Sequence, residues 1–139
     1  TLVADPCLVG MDSEEQEVEL GNIVARTFLN HTSTAPKTFT LHLAECDLSV
    51  GSQVSVTFLG DEDLTQPGTF ATTGEAQGIA VRLSSRDGRV VLPNDPQPAT
   101  DLQAGDTVLA WQAQVTASAF SKVTEGDFFA TVTFSLAYE

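Results

Sequence analysis

Basic residues are scarce in this chain: six lysines and arginines stand against 19 aspartates and glutamates, for a net charge of −13 over 139 residues. A surface that binds a phosphate backbone needs clustered Lys and Arg to displace counterions, so nucleic acid is excluded as a partner. The acidity reads instead as a solvated surface that keeps a protein soluble and monomeric until a partner captures it. Cysteine is equally sparse. Cys7 and Cys46 are the only two, and they lack the C-x-x-C spacing of a zinc or redox site. A disulfide between them is the favoured reading; closing a loop of that size contributes about 4 kcal/mol in the chain-entropy model, in an oxidising compartment. That points to export.

Histidine is limited to His31 and His42. With nearby carboxylates they give too few ligands for zinc or copper, so no metal and no other cofactor is expected. Gly60-Asp61-Glu62-Asp63 lacks the alternating D-x-D-x-D-G spacing of a calcium loop and reads as a solvated turn. No serine or cysteine nucleophile comes with an evident base and orienting group, which argues against an enzyme. A run of about twenty apolar residues is missing too, so no membrane insertion is expected. No signal peptide is present, and the sequence reads as a mature chain or an excised domain. Its length suits one domain, residues 1–139, with a core of its own.

What the chain has is strands. The stretch from Gly126 to Glu139 alternates Phe128, Ala130, Val132, Phe134, Leu136 and Tyr138 with Phe129, Thr131, Thr133, Ser135, Ala137 and Glu139, the period-two pattern of a strand burying one face. A strand this apolar needs neighbours on both edges, or it becomes a template for another extended segment. Lys37 to Cys46 alternates in the same way, with Phe39, Leu41, Leu43 and Glu45 opposite Thr38, Thr40, His42 and Ala44. Gln53 to Leu59 places Val54, Val56 and Phe58 on one face, and Gly78 to Ser84 does so with Ile79, Val81 and Leu83. Asp87-Gly88, between Val81-Arg82-Leu83 and Val90-Val91-Leu92, is a hairpin signal. A proline-rich loop, Pro93 to Pro98, follows. Asp106 to Ala117 is another strand, on which Trp111 reads as core rather than as a sugar-stacking platform. Leu2 to Val9 and Val18 to Leu20 are short extended candidates around an acidic loop, Asp12 to Glu17. No segment has convincing helical periodicity, so the expectation is an all-β sandwich.

Several features in this order resemble the pilin-domain family of chaperone-usher fimbriae. They are the final strand with Tyr138 next to last and Gly126 as its signature glycine, the cysteine pair opening the first strand and closing the second, and Gly78-Ile79-Ala80-Val81-Arg82-Leu83 followed by Asp87-Gly88. The resemblance covers essentially the whole chain. It implies an incomplete immunoglobulin-like β-sandwich that lacks the seventh (G) strand and is completed by a donor strand from a partner. The groove left by that strand is the implied site, with Phe128, Ala130, Val132, Phe134, Leu136 and Tyr138 on its floor and Leu2 and Val3 in its walls. The implied partners are a periplasmic pilus chaperone, whose basic cleft holds the terminal carboxylate of Glu139, then the N-terminal extension of a neighbouring pilus subunit, delivered at the outer-membrane usher. The implied location is an extracellular pilus fibre, reached through the periplasm of a Gram-negative bacterium.

Such subunits carry an alternating apolar extension before the first cysteine, whereas here Thr1 to Pro6 alone precede Cys7 and match the start of the fold's own first strand. The expectation is therefore a chain that accepts a strand and does not donate one. The alternative function is the anchoring pilin domain of a two-domain tip adhesin, or a receptor-binding minor pilin. Asn30-His31-Thr32 matches the glycosylation acceptor pattern, which a fimbrial setting would leave silent.

Overall fold

Ten residues from Lys37 to Cys46 and thirteen from Gly105 to Ala117 form the two longest strands, and their alternation explains the sheet they build. The structure is a computed structural model that describes residues 6–10, 25–29 and 31–139. The strands are β1 (Leu8–Val9), β2 (Lys37–Cys46), β3 (Gln53–Leu59), β4 (Phe70–Ala71), β5 (Thr73–Gly74), β6 (Ile79–Ser85), β7 (Val90–Val91), β8 (Thr100–Asp101), β9 (Gly105–Ala117), β10 (Phe128–Phe129) and β11 (Thr133–Tyr138). Among the described residues there is no α-helix, only the 3-10 turns Ala25–Leu29 and Phe120–Lys122. The expected Val18 to Leu20 strand, the Asp12 to Glu17 loop, and Leu2 and Val3 lie outside the described residues. Of the expected first strand, Pro6 to Val9 is described, and only Leu8–Val9 is extended and pairs with β2.

Among the described residues all the pairings are antiparallel. The larger sheet runs β1-β2-β9-β6-β4, with β7 also on β6, the smaller one packed against it runs β11-β3-β8, and β10 and β5 form a separate two-stranded pair. Opposed residues share a face, so the register Phe39↔Trp111 and Leu41↔Leu109, with Val81↔Val115 and Leu83↔Ala113 across the next pair, lines the inner face of the larger sheet with apolar side chains. Val54, Val56 and Phe58 of β3 do the same for the smaller sheet. The two layers meet in an aromatic cluster. Phe58 stands edge-on to Trp111 at 4.9 Å between ring centroids, and Phe39 stacks on Trp111 at 5.9 Å, geometries the ring quadrupole favours. Trp111 is buried, as its strand position suggested, and its Nε1–H donates to Gln97 Oε1 at 3.2 Å.

Strict alternation along β2 would point Glu45 inward and Cys46 outward. A β-bulge prevents this. The register moves from Leu43↔Thr107 to Cys46↔Gly105, three steps on β2 against two on β9, and Glu45 takes a left-handed φ of 53°. Glu45 is exposed as a result, and Cys46 turns into the core, where it bonds to Cys7. The hairpin after β6 also differs in detail from a two-residue turn. Ser85 and Arg89 are joined by Ser85 N–H to Arg89 O at 2.9 Å, and Gly88, at φ 91°, closes a three-residue loop through its N–H to Ser85 O.

Nor is Gly126 to Glu139 one strand. Phe128 and Phe129 pair with Gly74 and Thr73 of β5, and the chain then crosses to a different neighbour, so that Thr133 to Tyr138 pair with Leu59 to Val54 of β3. A change of ladder partner breaks the strand at residues 130–132.

Candidate functional site

The site is built from β11 and from what does not lie beside it. Gln53 and Glu139 exchange two backbone hydrogen bonds, Glu139 N–H to Gln53 O at 2.9 Å and Gln53 N–H to Glu139 O at 3.1 Å. In an antiparallel ladder such pairs alternate with pairs that exchange none. With the register Ala137↔Ser55 and Ser135↔Thr57, the residues at 133, 135 and 137 therefore turn their main-chain groups toward β3. Phe134 and Leu136 turn theirs the opposite way. Among the described residues β11 pairs with β3 alone, so that second edge carries no strand.

Side-chain burial records the same gap. Tyr138, Leu136 and Phe134 sit directly opposite Val54, Val56 and Phe58, on the same face and over the same core. The β3 residues are at most 5% exposed, yet their β11 counterparts are only half-buried. The residue types are alike, and what differs is the neighbourhood. On its far side β3 is flanked by β8 and by the proline-rich loop, from which Asn94 N–H and Gln97 N–H donate to Phe58 O and Val56 O at 2.7 and 3.0 Å. β11 has nothing equivalent among the described residues.

Among the described residues β1 is at the edge of the larger sheet. A Cβ on Gly51 would lie 3.2 Å from both Glu139 O and Pro6 Cγ, so the end of β11 and the segment leading into β1 lie together on one side of the sandwich. Val9 is half-buried against the same core as Val132, Phe134, Leu136 and Tyr138. Alternation alone did not single it out, because a two-residue strand has almost no periodicity to read. The Cys7–Cys46 disulfide, with both cysteines buried, anchors β1 to the end of β2 at this corner.

The sequence-derived residues separate into groups. Val132, Phe134, Leu136 and Tyr138 line the half-open core in a row. Phe128 packs instead on a second apolar cluster with Phe28, Ala76, Ile79, Val115 and Ala117, while Ala130 is exposed in the break between β10 and β11. Leu2 and Val3 are outside the described residues. One main-chain oxygen of Glu139 accepts N–H bonds from Ser52 and Gln53 at the end of the row. Gly126 explains itself by contact: its φ is 152°, and an added Cβ would meet Glu75 Cβ at 2.7 Å, where the chain is strapped to the 75–77 segment by Glu75 and Ala76 N–H bonds to Asp127 O.

The lining is apolar, and among the described residues no three His, Cys, Asp or Glu side chains converge on a potential cation position. A row of half-buried apolar side chains beside a strand edge that no described residue pairs offers main-chain groups and alternate apolar spaces, the two features by which extended segments are bound.

A family model described as "Fimbrial protein" matches residues 1–139. Long polar fimbria protein A of Salmonella typhimurium is 33% identical over 142 residues, covering 99% of this chain and 79% of that protein. Among solved structures, the P pilus rod subunit PapA superposes with a TM-score of 0.87 at 23% identity, over 97% of this chain and all of PapA's. A subunit from the structure of a chaperone-usher pilus superposes with a TM-score of 0.85 at 26% identity, over all of this chain and 91% of its own.

Proposed function

The chain belongs to the fimbrial protein family and is a structural subunit of a chaperone-usher pilus, not an enzyme, and on that premise we propose that the open edge of β11 is where it accepts a strand donated by a partner. The observation that carries this reading is the contrast between β3 and β11. Apolar residues facing each other across one ladder are buried on the strand with two neighbours and half-exposed on the strand with one among the described residues.

The donor strand lies along Phe134 and Leu136, taking up their outward main-chain groups, and its alternate side chains fill the spaces above Val132, Phe134, Leu136 and Tyr138. Four side chains buried at about 1.5–3 kcal/mol each give roughly 6–12 kcal/mol before ordering costs. That range suits a joint that persists in a fibre. In this reading the first donor is a periplasmic chaperone, whose basic cleft holds a carboxylate at Glu139. The second is the N-terminal extension of the neighbouring subunit, exchanged in at the outer-membrane usher, and the finished fibre is extracellular. The relatives it resembles at 32–33% identity, Long polar fimbria protein A and a probable major fimbrial subunit, favour this over the anchoring domain of a two-domain adhesin.

Thermal unfolding with a synthetic donor peptide tests the reading. A ligand that binds only the folded state at a hundred times its Kd adds about 2.7 kcal/mol, which for a domain of this size raises Tm by around 10 °C. A peptide with its apolar positions changed to Asp gives no shift. Equal melting with either peptide, or with none, counts against strand acceptance.

A further inference from the structure

Three of the six basic residues, Arg82, Arg86 and Arg89, fall on one hairpin. With Asp87 as the only acid between residues 82 and 92, this stretch carries +2, and the rest of the chain, −13 in all, therefore carries −15. The ladder places these charges together. Ser84 pairs with Val90 and Leu83 with Val91, so Val90 and the buried Ser84 share the face of β6–β7 turned from the core, and the same alternation, carried one residue past β7, brings Arg82 and Leu92 onto it. Val90 and Leu92 are 50% and 46% exposed, while Val91 between them is buried. Arg86 and Arg89 crown the turn, both exposed, with Arg89 Nε 3.3 Å from Asp87 Oδ2. Arg82 is held in place by donation from Nη2 to Gln114 Oε1 at 2.9 Å.

We infer that the outward face of the β6–β7 hairpin, with Arg86, Arg89, Val90 and Leu92 at its centre, is a second contact between subunits, docking on an acidic surface of another copy of this chain. The inference rests on the strand-acceptor reading, because that is what brings copies together. Charge complementarity identifies the occupant: a neighbour in the same fibre presents the other −15 at high local concentration. Exposed Val90 and Leu92 beside arginines have the composition of a protein interface, since aliphatic area adds little to binding a sulfated or carboxylated sugar. The sign of the patch also sets the symmetry. Two copies meeting hairpin to hairpin would oppose three arginines with three, so the contact joins unlike surfaces and propagates along a fibre rather than closing a dimer.

The test uses subunits given an alternating apolar donor extension ahead of Thr1 and assembled into fibres, as the wild type, as R86E/R89E and as R86K/R89K. Denaturant-resistant multimers, which report the strand joints, form in all three because both arginines lie outside the groove. Wild-type and lysine fibres have a mass per unit length above that of a single file in about 0.1 M salt. They open toward a single file near 1 M, where the Debye length falls from about 10 Å to about 3 Å. R86E/R89E fibres are single files at both salt concentrations. Compact R86E/R89E fibres that respond to salt like the wild type overturn the inference. So does loss of heparin binding in R86E/R89E with compaction unchanged, which would assign the patch to anionic polysaccharide. Absence of multimers from all three overturns the strand-acceptor reading and this inference with it.

Discussion

Replacing Phe134 with Asp abolishes strand capture. Phe134 sits opposite Phe58, which meets Trp111 at 4.9 Å, and its ring is half-buried on the one core shared by both sheets. A donor strand closes over that ring, so a carboxylate there would be buried without a partner. The penalty for an uncompensated buried charge is about 3–5 kcal/mol, which weakens Kd for a donor peptide by a hundredfold to a few thousandfold. The free chain suffers less, because in it the side chain at 134 still reaches water. Ser135→Asp is the matched control: one residue along, exposed on the other face, it changes binding by no more than about 0.5 kcal/mol. Calorimetric titration of both variants checks the pair. Equal losses for the two would mean that β11 is sensitive to charge in general and not through a groove on one face.

Cys7→Ser lowers the stability of the isolated chain by about 4 kcal/mol in oxidising buffer, the entropy of closing a 39-residue separation. Cys7 and Cys46 are buried where β1 joins the end of β2, so the bond fixes β1, whose Val9 packs on the same core as β11. The loss therefore reaches beyond the global midpoint. Peptide affinity falls as well, because part of the binding free energy goes to ordering β1. Denaturant unfolding with and without reductant measures the first effect. The wild type in reductant should match the variant, and a wild type indifferent to reductant would remove the disulfide from the account.

The parts of the fold that were legible in the sequence are those governed by period two. β2, β3 and β9 were visible because Leu41, Val56 and Trp111 each sit in an alternating row long enough to read. Other features depend on contacts that no local pattern encodes. Nothing about Glu45 as a residue announces a left-handed φ, yet the bulge it creates lets Cys46 reach Cys7. The Pro93 to Pro98 loop reads in the sequence only as a proline-rich connection. It serves as the far edge of β3, because Asn94 and Gln97 keep the N–H groups that its prolines lack.

The same limit applies at the site. Val132, Phe134, Leu136 and Tyr138 were legible as one face of a strand, and the structure keeps them in a row. Phe128 has the same spacing but pairs with Gly74 and serves a different cluster. Periodicity gives the face of a residue and not the neighbour it faces. The basic hairpin was hidden for a related reason: its charges become a patch only when the β6–β7 register sets Ser84 against Val90.

Amide hydrogen exchange at Phe134 and Leu136, measured with and without a donor peptide, tests the open edge most directly. Antiparallel alternation turns these two N–H groups away from β3, while those of Ser135 and Ala137 turn toward it. In the free chain Phe134 and Leu136 should exchange fast and Ser135 and Ala137 slowly; with the peptide bound, all four should be slow. Phe134 and Leu136 already as protected as their neighbours in the free chain, or unchanged when the peptide binds, would contradict the account.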